Sequence, residues 1–272
     1  MGAEELFGWA GMTLLLSAVL SLPVVARQAV WFIRVSEGGA TAGLLLISAG
    51  FLVRWHWYAA TMHVMWYQAF PVSTFYESAV FFTGMLAVVG WVMRRQKAAW
   101  VPVFWALAGI VLLAVNLSAV PSKPVLFLPS LKSGWLVAHV SLSFVAYALY
   151  AAAALVGIPL SVHPQDEAKA QTVRTCIRTA TLIFTVGGLI FGAVWAHESW
   201  GRFWAWDPKE TWAFITWSAY CLLLHFDLRG KLRPRVLALW AIVNFGIVLF
   251  TYFGVSLLFA GLHSYINVSV FL

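Results

Sequence analysis

Long apolar runs separated by short polar linkers leave this chain few ways to fold. About eight runs reach the roughly 20 residues that a helix needs to cross a bilayer. They lie near residues 7–26, 40–66, 75–93, 100–120, 134–160, 178–199, 209–227 and 235–262. Only 10% of the residues are charged, whereas a soluble domain carries about 25%. The sequence therefore predicts an all-α, polytopic membrane helix bundle with about eight transmembrane helices, forming one integral-membrane domain over residues 1–272.

The basic residues predict how the bundle is oriented. Most of them follow the first, third, fifth and seventh apolar runs: Arg27, Arg34, Arg94, Arg95, Lys97, Lys169, Arg174, Arg178, Arg229, Lys231, Arg233 and Arg235. The positive-inside rule assigns those linkers to the cytoplasm, so both termini are expected outside. No nucleic acid is expected as a partner, because these residues form neither a basic groove nor a basic arm. Cys176 and Cys221 form no CxxC motif, which argues against a thiol relay.

A tryptophan-rich stretch, residues 195–217, contains six of the sixteen tryptophans. The topology predicts that its loop, near residues 195–212, lies on the outer face. Asp207, Pro208 and Glu210 form the pattern of a helix start, with Asp207 as the N-cap and Glu210 three positions later. Because indole rings suit surfaces that are partly apolar and partly wet, we expect a flat aromatic surface that binds a planar hydrophobic ligand.

Histidines occur near both predicted ends of the bundle. His139 and His263 are expected at the outer face, where two neutral imidazoles beside an aromatic surface would suit the axial positions of a haem iron. His225 is expected near the inner end of the seventh span, about 22 Å from the tryptophan loop at helical rise, so it cannot serve the same iron. An ionisable residue inside a span is a functional candidate. The roles of His56, His63 and His197 stay open.

Two charged residues, Arg54 and Glu77, lie inside or at the edge of apolar runs. A charge in that position is costly unless it is paired. Two partners for Arg54 are compatible with the sequence: the carboxylate of Glu77, or a propionate of a bound ligand.

Several segments resemble the WWD-domain proteins that handle haem, and in particular the CcsA/ResC family of system II cytochrome c maturation. The tryptophan-rich signature is matched by residues 200–212, WGRFWAWDPKETW. Further similar segments are residues 71–78, PVSTFYES; residues 134–141, GWLVAHVS; and residues 261–265, GLHSY. The resemblance extends from about residue 54 to the C-terminus.

The resemblance implies a function in cytochrome c-type biogenesis. The family moves haem to the outer membrane face and presents it for covalent attachment to the CxxCH motif of apocytochrome c. It acts together with a second membrane protein, CcsB/ResB, as a cytochrome c synthase. The implied cofactor is haem b, as bound ligand and as substrate, and thiol-reducing components are further candidate partners. The implied location is the bacterial cytoplasmic membrane, or the thylakoid in plastids, with the active site on the outer, periplasmic face.

The resemblance also assigns roles to individual residues. His139 and His263 are expected to be axial ligands of the outer haem. His225 is expected to ligate haem at a transmembrane site, with its second ligand supplied by CcsB. The predicted haem-binding residues of the WWD segment are Trp200, Gly201, Trp204, Trp206, Asp207 and Trp212.

Two other functions remain compatible with the residues. One is a b-type redox membrane subunit, which would hold haem permanently and pass electrons. The other is a haem exporter without synthase activity, which would release haem at the outer face without attaching it to a protein.

Overall fold

The computed structural model describes residues 2–21, 30–94, 101–118, 122–124, 127–230, 232–259 and 261. Every regular element within these ranges is helical, which confirms the predicted all-α membrane bundle. Six helices are long and apolar enough to cross a membrane: Ala3–Leu20, Arg34–Met62, Phe75–Met93, Gly134–Val162, Glu167–Trp200 and Pro234–Leu258. A shorter apolar helix, Val101–Leu117, and the more polar helix Pro208–Leu228 correspond to the remaining two predicted runs.

The helices group into two compact units, Met1–Lys132 and Ser133–Leu272. Two units do not by themselves exclude one functional domain, so the single domain expected from the sequence stays a prediction.

The first unit consists of four long helices. They are α1 (Ala3–Leu20), α2 (Val30–Met62), α3 (Phe75–Met93) and α4 (Val101–Leu117). Close packing of α1 on α4 depends on glycine, because a Cβ atom at Gly109 would lie 2.8 Å from the carbonyl oxygen of Gly11. Small residues at such crossings let two membrane helices approach closely.

The second unit carries the tryptophan-rich segment. Its helices are α5 (Gly134–Val162), α6 (Glu167–Phe184), α7 (Gly192–Trp200), α8 (Pro208–Leu228), α9 (Pro234–Leu249) and α10 (Val255–Leu258). Two π-helical turns, Thr185–Phe191 and Phe250–Gly254, connect α6 to α7 and α9 to α10. The alanine-rich middle of α5 is buried against α6 and α9. A parallel ring stack of Tyr150 on Tyr220, with centroids 3.6 Å apart, joins α5 to α8.

Helix α6 begins at Glu167, earlier than its apolar run near residues 178–199. Asp166 caps the helix by accepting a hydrogen bond from the backbone N–H of Lys169 at 3.0 Å. The first turns of α6 are amphipathic, and Arg174 and Arg178 contact Asp227 of α8 at 3.0 and 3.3 Å. Hydropathy finds only the apolar half of such a helix, because the charged half is stabilised by capping and by ion pairs.

Candidate functional site

The imidazole of His139 is fixed by the π-helical turn between α6 and α7. Its Nδ1 atom lies 2.8 Å from the carbonyl oxygen of Gly187. Since a carbonyl only accepts, Nδ1 carries the proton, and the ring lone pair is on Nε2. A metal-ligating histidine usually donates its other ring N–H in this way, so the tautomer that this contact requires suits a ligand of iron.

Two glycines allow α5 to approach this turn closely. A Cβ atom at Gly187 would lie 2.2 Å from the Cβ of Leu142, and one at Gly192 would lie 2.8 Å from Cε1 of His139. The π-helical turn shifts the backbone register over Thr185–Phe191, which contains Gly187. Such bulges are frequent at functional sites.

The ring of His139 also lies against the tryptophan-rich segment. It is nearly parallel to the indole of Trp195, with an angle of 12° and a centroid distance of 6.1 Å. Trp195 is buried, and Trp200 contacts it edge to face at 4.9 Å. The structure thus brings His139 and the first two tryptophans of the segment together.

The chain reverses direction immediately after α7. Gly201 ends the helix in the left-handed conformation, with φ of +74°, and its N–H donates to the carbonyl of His197 at 2.9 Å. Trp206 also has a positive φ, +56°, which is strained for a bulky residue, and its side chain is 66% exposed. His197 stacks on Phe203 at 4.2 Å. The loop therefore displays aromatic rings on its exposed side.

The tryptophans form an edge-to-face cluster rather than one flat surface. Trp204 and Trp206 are 5.7 Å apart at an angle of 86°, and both contact Phe214. Trp212 packs instead on Phe250 at 4.4 Å. The indole N–H of Trp204 is buried and has no hydrogen-bond partner among the described residues. A buried donor without a partner is costly, so this atom is a candidate contact for a ligand.

The predicted helix start at Asp207 is confirmed. Asp207 is the N-cap of α8 and accepts from the backbone N–H of Lys209 at 3.0 Å, and Pro208 occupies the first helical position. Glu210 closes the capping box by accepting from the N–H groups of Ala205 and Asp207. The second carboxylate oxygen of Glu210 is buried and has no partner among the described residues.

A small, partly open pocket lies beside this helix start. It is lined by Asp207, Pro208, Lys209, Val255, Ser256, Phe259 and Gly261. The ammonium group of Lys209 donates to the hydroxyl of Ser256 at 2.8 Å. Gly261 lies so close that a Cβ atom there would meet Oδ1 of Asp207 at 2.3 Å. His263 lies outside the described residues, so its pairing with His139 stays a prediction.

His225 occupies the last turns of α8, and its side chain is exposed. Its ring contacts Phe226 edge to face at 5.7 Å. Since no partner for its imidazole nitrogens appears among the described residues, the expected role as a haem ligand stays a prediction. His56, His63 and His197 are also exposed, and the structure assigns no chemistry to them.

Arg54 and Glu77 form an ion pair at the centre of the first unit. Arg54 Nε lies 2.8 Å from Glu77 Oε1, and both side chains are 1% exposed. Arg54 also contacts Glu4 at 3.0 Å, and the hydroxyl of Tyr58 donates to Glu77 at 2.6 Å. The sequence left two partners open for Arg54: the carboxylate of Glu77 or a ligand propionate. The structure shows the pair with Glu77. A contact of these residues with a ligand propionate stays a prediction.

Sequence reasoning did not identify Gly187 as part of the site, and it included Trp195 only as the first residue of the tryptophan-rich stretch, without a role of its own. The signal for Gly187 was the Gly187–Gly188 pair in the middle of an apolar run, where glycine is unfavourable in a regular helix. The signal for Trp195 was its place at the start of the tryptophan-rich stretch. Neither signal identifies the contact with His139, which depends on how α5 packs against α6 and α7.

The fold and this site define a class: a polytopic helical membrane protein whose tryptophan-rich loop adjoins a histidine of fixed tautomer. Residues 72–263 match the family model described as cytochrome c assembly protein. The chain belongs to this family, and within it to the CcsA family of cytochrome c biogenesis proteins.

Individual relatives support this assignment. The chain is 32% identical to the cytochrome c biogenesis protein CcsA of Synechococcus sp. (strain CC9605), over 95% of each chain. It is 34% identical to the protein NrfI of Wolinella succinogenes, over 72% of this chain and 23% of NrfI. Among solved structures, the cytochrome c haem lyase CcmF matches 93% of this chain and 47% of its own, with a TM-score of 0.69. At 17% identity that match shows a shared fold.

Proposed function

We propose that this chain carries haem to the outer membrane face and presents it for covalent attachment to the CxxCH cysteines of apocytochrome c. Membership of the CcsA family gives the process, cytochrome c biogenesis involving haem. The attachment step, the haem b type and a CcsB/ResB partner protein belong to the proposal. We also propose the bacterial cytoplasmic membrane or the thylakoid as the location, with the tryptophan loop outside, on the basis of the positive-inside pattern.

The observation that carries the proposal is the orientation of His139. Its Nδ1–H donates to the carbonyl oxygen of Gly187. The lone pair of the ring is then on Nε2, which is the atom that would bind iron. The same ring lies parallel to Trp195 at the start of the tryptophan-rich segment. A histidine that served only as an interfacial anchor would not need a π-helical turn and two glycines to hold it.

The remaining site residues would hold the haem around this ligand. His263 would provide the second axial imidazole. The WWD residues expected around the ring are Trp200, Gly201, Trp204, Trp206, Asp207 and Trp212. The unpartnered indole N–H of Trp204 and the exposed ring of Trp206 are the groups of this set that offer contacts beyond the protein's own packing.

The role assigned to the chain is to position the haem vinyl groups and the cysteine thiols for reaction. Each cysteine S–H of the apocytochrome adds across one haem vinyl group: sulfur bonds to the carbon next to the ring, and the proton goes to the terminal carbon. The histidine of CxxCH would replace one protein imidazole on the iron and so align both thiols with the vinyl edge. Fixing the reacting groups in this geometry lowers the barrier without a dedicated acid or base.

His225 would ligate haem at an inner site before delivery to the outer face. Its exposed position on α8 agrees with a second ligand from outside this chain, which we assign to CcsB. Arg54 and Glu77 would act structurally, because each already satisfies the other's charge.

The test is co-expression with CcsB and an apocytochrome c, scored by covalent haem on the product. We expect the His139→Ala variant to lose most of the product, and added imidazole to restore part of it by filling the vacant iron position. His163→Ala is the control, since His163 caps the end of α5 away from the site. Full product from His139→Ala without imidazole would contradict the ligand assignment.

The same experiment separates the two other functions. An exporter would deliver haem to the outer face without covalent attachment to the apocytochrome in the wild type. A redox subunit would keep tightly bound, reversibly reducible haem when purified without CcsB.

A further inference from the structure

One side of α8 carries an exposed stripe near its C-terminal end. The stripe consists of Leu222, His225 and Arg229, all exposed, and is called here the α8 stripe. Spacings of three and four residues place these side chains on one side of the helix, above one another. The stripe therefore presents an apolar group, an imidazole and a guanidinium in order along about two turns.

The opposite side of α8 has its own complete polar network. Asp227 is buried and pairs with Arg174 at 3.0 Å and with Arg178 at 3.3 Å. Arg229 is in no ion pair among the described residues. Its charge and the imidazole of His225 are thus both exposed: His225 lies in the last turns of α8, and Arg229 directly follows the helix, in a linker that the positive-inside rule assigns to the cytoplasm.

We propose that the α8 stripe binds haem with the carboxylate edge of the macrocycle on Arg229. The inference rests on the proposed role of His225 and adds to it the direction in which the haem lies. His225 ligates the iron, Leu222 packs against the apolar part of the ring, and Arg229 pairs with the propionates. Four residues of helix separate His225 from Arg229 by about 6 Å along the axis, which the long arginine side chain extends further.

Charge and shape complementarity support haem as the occupant. Haem is a flat apolar disc with a metal at its centre and two carboxylates on one edge, and the stripe offers one matching group for each of these features. Arginine binds carboxylates through a planar, bidentate fork, which orients the bound group as well as attracting it. Arg229 is therefore a positioning residue that keeps the vinyl groups away from the C-terminal end of α8.

The test compares haem with its dimethyl ester, which keeps the iron and the ring but lacks the carboxylates. Both are titrated into the full chain purified in detergent, in a His139→Ala, His263→Ala background, so that the absorption spectrum reports on the inner site. We expect Arg229→Gln to weaken haem binding by about tenfold or more, the size of a lost charge-assisted contact. Binding of the ester should not change, and Arg229→Lys should restore part of the affinity for haem.

Arg235→Gln is the matched control, because Arg235 is an exposed arginine on α9 rather than on the stripe. If Arg229→Gln weakens haem and the ester equally, Arg229 acts on the fold and the proposal is wrong. If it weakens neither, the carboxylates lie elsewhere and the proposal is also wrong. If His225→Ala keeps the spectrum and the affinity of its parent, the failure lies in the proposed function itself, because His225 is then not a ligand.

Discussion

Two of the groups that hold the imidazole of His139 contribute no side chain. The carbonyl oxygen of Gly187 accepts a hydrogen bond from its Nδ1–H, with the two heavy atoms 2.8 Å apart, and the missing side chain of Gly192 leaves room for its ring. At the residue scale, the candidate iron ligand therefore depends on glycines that a survey of reactive residues would pass over.

Gly192→Ala tests this dependence. The added Cβ atom would lie 2.8 Å from Cε1 and 2.9 Å from Nδ1 of His139, so the ring must move. We expect covalent haem on a co-expressed apocytochrome to fall several-fold while the protein still folds. Gly246→Ala is the control, since a Cβ atom at this helical glycine of α9 has no neighbour within 4 Å and should be tolerated. Equal activity of the two variants would contradict the tight fit around His139.

The buried pair of Arg54 and Glu77 should dominate the stability of the first unit. Glu77→Gln leaves the guanidinium of Arg54 buried without its nearest counter-charge, which typically costs about 3–5 kcal/mol. Glu167→Gln is a matched control in an exposed pair with Arg174, where the loss is about 1 kcal/mol or less. Thermal unfolding in detergent should therefore show a much larger fall in Tm for Glu77→Gln. Similar falls in Tm for the two variants would mean that water screens the pair of Arg54 and Glu77.

At the scale of elements, the start of α8 combines a structural and a candidate functional role in Asp207. Asn serves as an N-cap about as well as Asp, whereas Ala costs about 0.5–2 kcal/mol. We expect Asp207→Asn to keep stability and most of the proposed synthase activity, and Asp207→Ala to lose both. Asp166→Ala, at the N-cap of α6, should lose stability alone. A stable Asp207→Asn protein without activity would show that the negative charge takes part in haem binding or attachment.

The capping box at Asp207 shows what local sequence predicts well. The N-cap, the following proline and Glu210 lie within four residues, so local interactions are enough to determine their geometry. The apolar runs predict the helices for a similar reason, because lipid leaves the backbone few alternatives. The contact between His139 and Gly187 joins residues 48 apart and depends on a π-helical turn. No local pattern specifies such a contact, and the division of the tryptophans into separate packing groups also follows from tertiary structure.

At the scale of the whole molecule, α8 links the two proposed haem positions. It has 21 residues, which corresponds to about 30 Å, close to the thickness of the hydrocarbon core. Asp207 and the tryptophan loop adjoin its first turn, and the α8 stripe lies near its last turns. One helix of the second unit therefore sets the distance between the two proposed haem positions.

The orientation of the second unit is testable with two cysteines. Phe203→Cys lies in the tryptophan loop, and His163→Cys lies between α5 and α6; both positions are exposed. Cys176 and Cys221 are first replaced by serine. Because basic linkers face the cytoplasm, we expect a membrane-impermeant maleimide to label position 203 in intact cells and position 163 only after permeabilisation. The reverse pattern would place the tryptophan loop inside and exclude attachment at the outer face. Labelling of both positions from one side would show that Glu167–Trp200 does not cross the membrane, although its length and hydropathy suffice for a span.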